Sequence, residues 1–372
     1  MGIDVEGIER QLTATWAEMT GGRAEGGEAG VTRACALNLV VCARDAGERE
    51  EIEELLAEVF ERNPCRAIVI VADAGAAEPG MEAYVSTRCA VSSKGAKQVC
   101  GEQITVEAAG ASVASAASAV APLLAPDVPV FLWWKDIPHY EDKLFRRLVE
   151  TADRVVIDSA TFDAPHEDLK RLATLISERG ERLALTDLNW GRLTSWRALV
   201  ASFWDVFEYR PLLAAATDVE IIFEPPPLAP SEIAPKALLA LGWLASRLGW
   251  ESAAGTRLEG GAARFDFKTK TGGELRALLR PADADECGGG MLRRLTIKAE
   301  GAEFFVELKD GGAKLETGTR AGAGERALGR VLAYEAASEG RRLGRELSIL
   351  SRDLVYEASV ATAARLLDTF GS

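Results

Sequence analysis

The sequence predicts an α/β protein: a mixed, largely parallel sheet covered by helices, followed by a smaller α+β domain with a β-meander and C-terminal helices. Three features predict it. Apolar runs at 34–43 and 67–72 flank an amphipathic helix at 48–62, which is the outline of a βαβ unit with strands buried on both faces. Pro225, Pro226, Pro227, Pro230 and Pro235 then crowd one short stretch, and proline at that density favours an extended linker. Beyond it, short alternating segments are separated by glycine turns. The expected organisation is an N-terminal helix and Gly-rich linker at 1–30, an α/β domain at 31–224, a Pro-rich linker at 225–235 and an α+β domain at 236–372.

The elements follow in order. Ile8, Leu12, Trp16 and Met19 stand at helical spacing, and a Gly-rich stretch runs from 21 to 30. In the 48–62 helix, Ile52, Leu55, Leu56, Val59 and Phe60 form one apolar stripe. Glu48, Glu50 and Glu51 suit its positive N-terminus, and Asn63-Pro64 ends it. Segments 84–91 and 103–108 alternate as an antiparallel hairpin does. A small-residue helix is expected at 111–124, a buried strand at 128–134, a helix at 141–150 and a strand at 154–157 ending on Asp158-Ser159. Helices at 169–179 and 196–207 and a strand at 219–223 complete the first domain. Thr194 or Ser195 is the expected cap of the 196–207 helix. Past the prolines come a helix at 236–248, strands at 264–269, 274–280, 294–300, 304–308 and 314–317, and helices at 326–339 and 343–367.

Composition excludes several functions. The formal net charge of −14 denies nucleic acid and anionic membrane surfaces a basic face. No apolar run approaches the ~20 residues that span a bilayer, and Met1-Gly2-Ile3-Asp4-Val5-Glu6 is no signal peptide, so the expected location is the cytoplasm. Six cysteines (Cys35, Cys42, Cys65, Cys89, Cys100 and Cys287) show no C-x-x-C pair and read as buried thiols of a reducing compartment, with a redox switch between distant cysteines as the alternative. With only His139 and His166 present, neither a Cys/His metal site nor a Ser/His/Asp set assembles from the sequence. Gly322-Ala323-Gly324-Glu325-Arg326-Ala327 matches the G-x-G-x-x-A outline, but no second strand with an acid follows, so it reads as a turn and helix start. No phosphate loop and no G-x-S-x-G elbow occur. No catalytic residue, metal or cofactor is expected.

The informative region holds five of the eight tryptophans: Trp133, Trp134, Trp190, Trp196 and Trp204. Trp133-Trp134 closes a buried strand at the sheet edge where α/β proteins dock ligands or partners, one ring facing the core and the other reaching the rim. Asp158-Ser159 ends a strand at the same edge if the strands are parallel. Asp187 to Arg197 combines Trp190 and Trp196 with Arg192 and Arg197, and Trp and Arg are the residues of interface hot spots. Core tryptophans with snorkelling arginines are the other reading.

These residues also carry a resemblance. Val128-Pro129-Val130-Phe131-Leu132-Trp133-Trp134 resembles the strand of the glucose-6-phosphate dehydrogenase assembly protein (OpcA) family. Thr32-Arg33 before the first strand, Asn63-Pro64-Cys65-Arg66, the stretch from Ala152 to Ser159, and Asp187-Leu188-Asn189-Trp190 with Arg192-Leu193-Thr194 and Trp196-Arg197 are similar to its motifs in the same order. Asn63 and Cys65 replace the family's His and Ser. The resemblance implies a non-catalytic partner of glucose-6-phosphate dehydrogenase, one that binds and stabilises the active oligomer. The candidate partner-binding residues are Arg66, Trp134, Asp158, Asp187, Trp190, Arg192, Trp196 and Arg197. The alternative is an enzyme or sensor that binds a sugar phosphate or nucleotide at the C-terminal edge of the sheet.

Overall fold

The computed structural model describes residues 3–21, 31–33, 35–43, 46–91, 98–139, 141–282, 289–321, 327–334 and 338–371. The Gly-rich stretch after residue 21 and the glycines of the G-x-G-x-x-A match therefore lie outside the described residues, as does Cys287. The elements run α1 (Val5–Gly21), β1 (Val31–Arg33), β2 (Leu37–Ala43), α2 (Arg49–Phe60), β3 (Cys65–Asp73), β4 (Gly80–Val91), β5 (Gln98–Ala109), α3 (Ala116–Val120), β6 (Val130–Trp134), α4 (Lys143–Val149), β7 (Arg154–Ile157), α5 (Pro165–Arg179), β8 (Ala184–Asp187), α6 (Leu188–Gly191), α7 (Thr194–Ser202), α8 (Arg210–Ala214) and β9 (Ala216–Phe223). They continue with α9 (Pro235–Leu248), β10 (Glu251–Arg257), β11 (Ala263–Lys268), β12 (Glu274–Pro281), β13 (Leu292–Ala299), β14 (Ala302–Lys309), β15 (Lys314–Ala321), β16 (Ala327–Ala333), α10 (Glu339–Glu346) and α11 (Leu354–Asp368).

The first sheet has the order β1-β5-β3-β2-β6-β7-β8, with β4 hairpinned onto β5. The β1–β5, β5–β3, β3–β2, β2–β6 and β6–β7 pairings are parallel and β4–β5 antiparallel, as the unbroken apolar runs and the alternating hairpin predict. Every residue of β2 is buried. The α2 stripe lies inside as its spacing predicts, with Ile52, Leu55, Leu56, Val59 and Phe60 buried. Arg66 on β3 is 5% exposed and ion-paired to Glu102 of β5 at 2.8 Å and to Glu9 of α1 at 2.8 Å. Trp16 donates its indole N–H to the same Glu102 at 2.8 Å. The first helix is thus held to the sheet by a buried charge cluster as well as by Ile8, Leu12 and Trp16.

The second sheet runs β10-β11-β12-β9-β13-β14-β15-β16. It is antiparallel except where β12 lies parallel to β9. Its inner face carries Val219, Ile221, Phe223, Phe265, Phe267, Ile297, Phe304 and Leu315, all buried. α9 and α11 pack against each other so closely that a Cβ on Gly242 meets the carbonyl oxygen of Ser359 at 2.4 Å. Gly249, at φ +65, ends α9 in the left-handed conformation.

Several expectations give way. Residues 327–333 form strand β16 rather than a helix: Ala, Leu and Arg favour helix, but β15 offers an open ladder, and pairing overrides propensity. The 343–367 helix is two, broken between α10 and α11, where Asp353 caps the second through Val355 N and Tyr356 N. The 111–124 helix reduces to α3 between two 3₁₀ turns, and β10 was not expected. α7 begins at Thr194 with no side-chain cap, so neither Thr194 nor Ser195 plays that part. Cys100 is disulfide-bonded rather than a thiol. It faces Cys89 across the β4–β5 register, a neighbourhood that sequence spacing does not reveal.

The chain divides into two compact units that interleave in sequence: 1–157, 180–186 and 338–352 in one, and 158–179, 187–337 and 353–372 in the other. The Pro-rich 225–235 stretch falls inside the second unit, and β9, expected in the first domain, is a central strand of the second sheet. A strand with one apolar face joins whichever sheet completes its ladder, and proline density does not report that choice.

Candidate functional site

The stretch from Asp158 to Arg197, joined by α11, builds a polar cluster inside the second unit. β7 ends at Ile157 and β8 at Asp187, so both aspartates stand where a strand gives way to a helical turn. Each caps that turn: Asp158 accepts from Ala160 N and Asp187 from Asn189 N. Asp187 has no solvent exposure. Its carboxylate also accepts from Ser159 N at 3.0 Å, Ser159 Oγ at 2.6 Å and Tyr356 OH at 3.3 Å. Burial, with the nearby charge of Asp158, outweighs those donors and pushes the Asp187 carboxyl up to about 6. Asp158 stays paired. Arg192 grips it with two bonds of 2.6 Å, and that fork fixes the turn after α6.

The aromatics extend the cluster. Trp190 donates its indole N–H to Asp353 at 2.7 Å, and its ring lies 5.6 Å from Tyr356. The guanidinium of Arg197 stacks 3.7 Å over Trp190. Trp196 is 2% exposed and belongs to the core. Asp158, Asp187, Trp190, Arg192 and Arg197 are therefore brought together, while Arg66 and Trp134 belong to the first unit. Trp133 and Trp134 are both largely interior, at 0% and 4% exposure, and of the two Trp134 lines a crevice at the C-terminal edge of the sheet. Trp134 donates to the carbonyl of Ile137 at 3.2 Å and packs 4.9 Å from Phe145.

Ser159 and Asp187 share a short hydrogen bond, but Ser159 is wholly buried and its hydroxyl is tied between Asp187 and Asn189 Nδ2. His166 is fastened elsewhere, its Nε2 accepting from Ile233 N at 2.9 Å. Burial, with Arg257 and Lys170 near, lowers it to about 4, so it is neutral at pH 7 and its 3.8 Å approach to Glu232 is no ion pair. Among the described residues, no group of His, Cys, Asp and Glu assembles to hold a metal ion.

A concave feature of the first unit lies at the C-terminal ends of β2, β3 and β6. Strand order reverses there, with β3 on one side of β2 and β6 on the other, which is where open α/β sheets take ligands. The crevice holds about 640 Å³ and is lined by Cys42, Asp73, Trp134, Asp136 and Asp142, among others. Among the described residues its charged lining is acidic, and Glu48, Glu50 and Glu51 stand with Arg49 at the start of α2, where a phosphate is otherwise welcomed. Burial drives the Cys42 thiol well up, with Asp142, Asp136 and Glu48 adding to it.

Sequence reasoning missed what the surface shows. Phe207 is 75% exposed and Val206 42%, just beyond buried Phe203 in the Trp-rich segment. The 196–207 periodicity hid them, because a helix throughout that span gives no reason for a break at Ser202. Asp353 and Tyr356 were missed too, although an aspartate before Leu354-Val355-Tyr356 is a helix-start signal.

Two family models match the chain: the glucose-6-phosphate dehydrogenase subunit N-terminal domain over residues 57–174, and the corresponding C-terminal domain over 183–360. A Nostoc punctiforme protein named OxPP cycle protein OpcA is 37% identical over 207 residues, covering 55% of this chain and 42% of that protein. A Synechocystis protein of the same name is 28% identical over 315 residues, covering 82% of this chain and 64% of the other. The chain thus spans about half the length of these curated relatives. In fold it is similar to levoglucosan dehydrogenase in complex with NADH and L-sorbose, at TM-score 0.52 and 10% identity, covering 91% of this chain and 97% of that one. An NAD-binding oxidoreductase from Klebsiella pneumoniae aligns at TM-score 0.52 and 9% identity, covering 91% and 96%.

Proposed function

The chain belongs to the glucose-6-phosphate dehydrogenase assembly protein (OpcA) family, and from that premise we propose that it is a non-catalytic assembly factor and allosteric activator of glucose-6-phosphate dehydrogenase in the oxidative pentose phosphate pathway. It acts in the cytoplasm by binding the active oligomer better than the separate subunits, and its differential affinity shifts the equilibrium. The observation that carries the reading is the pair of family models, which together run from residue 57 to 360.

The crevice supports a role without nucleotide chemistry. A fold shared with NADH-binding proteins meets carboxylates here, at the switch point where a pyrophosphate needs donors. Among the described lining residues, the sugar-phosphate or nucleotide reading finds no cation to hold a phosphate. No helix among the described residues is long and apolar enough to cross a membrane.

Within this proposal the eight residues singled out from the sequence work mainly from the interior. Arg66 and Trp134 stabilise the first sheet, while Asp158, Asp187, Trp190, Arg192 and Trp196 set the path of the backbone that presents the 203–210 turn. Arg197, half-buried over Trp190, borders the surface. Direct contact falls to Phe207 and Val206, since an exposed aromatic beside apolar neighbours is a binding feature.

The test is reconstitution with the cognate dehydrogenase, following turnover and oligomer mass together. We expect activation with a shift to the larger oligomer. Unchanged turnover and mass at micromolar concentrations exclude the proposal. Phe207→Ala is expected to weaken the effect about tenfold or more while leaving Tm unchanged. Full activation by that variant moves the interface elsewhere.

A further inference from the structure

The outer face of the second sheet has a charge order that the inner face lacks. The turns and helices that pack on this sheet meet its inner side, as in the Phe265–Phe370, Trp250–Phe267 and Trp204–Phe304 ring contacts. The residues between those inner positions point the other way. Register aligns them in rows across the strands. One row reads Asp266, Arg276, Asp218, Lys298, Glu303, Arg320 over β11, β12, β9, β13, β14 and β15. The signs alternate without a break. Arg276, Lys298 and Arg320 are exposed and Asp218 is half-buried.

An alternating row of six has a geometric property. Rotation by a half-turn about its midpoint brings each charge opposite one of the other sign. The midpoint here falls between β9 and β13, the middle strands of the six. Under the same operation Arg280 comes opposite Glu307 two rows away, whereas Phe305 in the row between is buried at 1% exposure beneath Arg294 and makes no contact of this kind. The three rows together carry six acidic and six basic side chains, so this face is neutral on a chain of net charge −14. Two acidic molecules can meet there without net repulsion.

We propose that this face is a two-fold interface with a second copy of the chain, its axis lying along the strands between β9 and β13. Asp218 then meets the partner's Lys298, Arg276 the partner's Glu303, and Asp266 the partner's Arg320, each contact occurring twice by symmetry. Six strands about 4.8 Å apart and about seven residues long present roughly 650 Å² a side, near the lower end of specific interfaces. Aligned sheets cross at about −30°, so the outer pairs splay and the Asp218–Lys298 contacts beside the axis matter most. The inference does not depend on the proposed function.

The test uses two single variants of the full chain, Asp218→Lys and Lys298→Glu, followed by sedimentation equilibrium. The unaltered chain is expected to be dimeric. Each variant alone opposes like charges twice across the axis and is expected to weaken the dimer about tenfold or more in Kd. Mixing the two restores both contacts, because the two substituted positions face each other and the unaltered Lys298 of one variant faces the unaltered Asp218 of the other, and is expected to restore the dimer. Like charges within each variant's own sheet remain on mixing, so recovery reports only the contact between molecules. A monomeric unaltered chain overturns the proposal, including one that engages the dehydrogenase through this face. So does a dimer indifferent to both variants, or a mixture that stays monomeric while each variant melts as a folded protein.

Discussion

Asp187 is a carboxylate with four internal donors and no solvent exposure, and the two facts pull its proton in opposite directions. Burial wins, raising the group from an ordinary 3.8 to about 6. A raised folded value means that the folded state holds the proton more tightly than the unfolded chain. The stability it adds is complete below about pH 4 and is lost as pH rises through about 6, on the order of 3 kcal/mol over that window. Asp187→Asn is expected to remove this slope, and denaturant midpoints of both proteins at intervals from pH 4 to 7 check it. His166 runs oppositely, losing stability as pH falls from 6.5 toward about 4, so the difference between the two proteins is the quantity to read. Arg192 gives a second prediction. Asp158 and Arg192 are mostly buried, at 9% and 14% side-chain exposure, so Arg192→Ala strands a carboxylate and is expected to cost about 2–3 kcal/mol. Arg192→Lys should recover only part of it, because an ammonium does not fork onto both oxygens. Equal stability of Arg192→Ala and the parent protein in urea refutes the structural role. The residue types were legible in the sequence here, and their direction was not. Trp190 and Trp196 read equally well as hot spots or as core, and only packing decided for core.

At the scale of elements, the α9–α11 crossing depends on one absent methyl group. Gly242→Ala adds about 1 kcal/mol of helix propensity but sets a Cβ 2.4 Å from the Ser359 carbonyl oxygen. Overpacking of this kind costs about 3 kcal/mol, so the substitution is expected to lower Tm despite the better helix former. A variant that melts at or above the parent temperature shows that the helices separate freely. The start of α11 explains a sequence error. Residues 343–367 carry a continuous helical pattern, yet Asp353 offers its carboxylate to Val355 N and Tyr356 N, and a new helix starts there. β16 errs the other way: Ala327 to Ala333 has helical propensity and takes strand geometry because β15 supplies its hydrogen bonds. α2, the β4–β5 hairpin and β6 were legible because their periods of 3.6 and 2 are local properties.

For the molecule as a whole, the interleaving of its two units has a consequence for dissection. α5, which precedes the proline stretch, packs on α11 near the C-terminus, and α10, which follows it, packs on α2. A fragment of residues 1–224 loses α10 from α2 and α11 from α5, and keeps β9 without β12 or β13. It is expected to be insoluble or to lack a cooperative melt, as circular dichroism with a thermal scan shows. A sharp two-state transition in that fragment refutes the interleaved division. Alternation, apolar runs and helix stops are read within a few residues, so the α/β class, the parallel strands of the first sheet, most of the strands of the second and the family are legible in the order of residues. Folding in three dimensions assigns β9 to the second sheet and each helix to its unit, buries Trp190 and Trp196, and leaves Phe207 and the charge-ordered sheet face outside. The reason is physical. Secondary structure follows from neighbours along the chain, whereas burial and strand partnership follow from neighbours in space, which the order of residues does not specify.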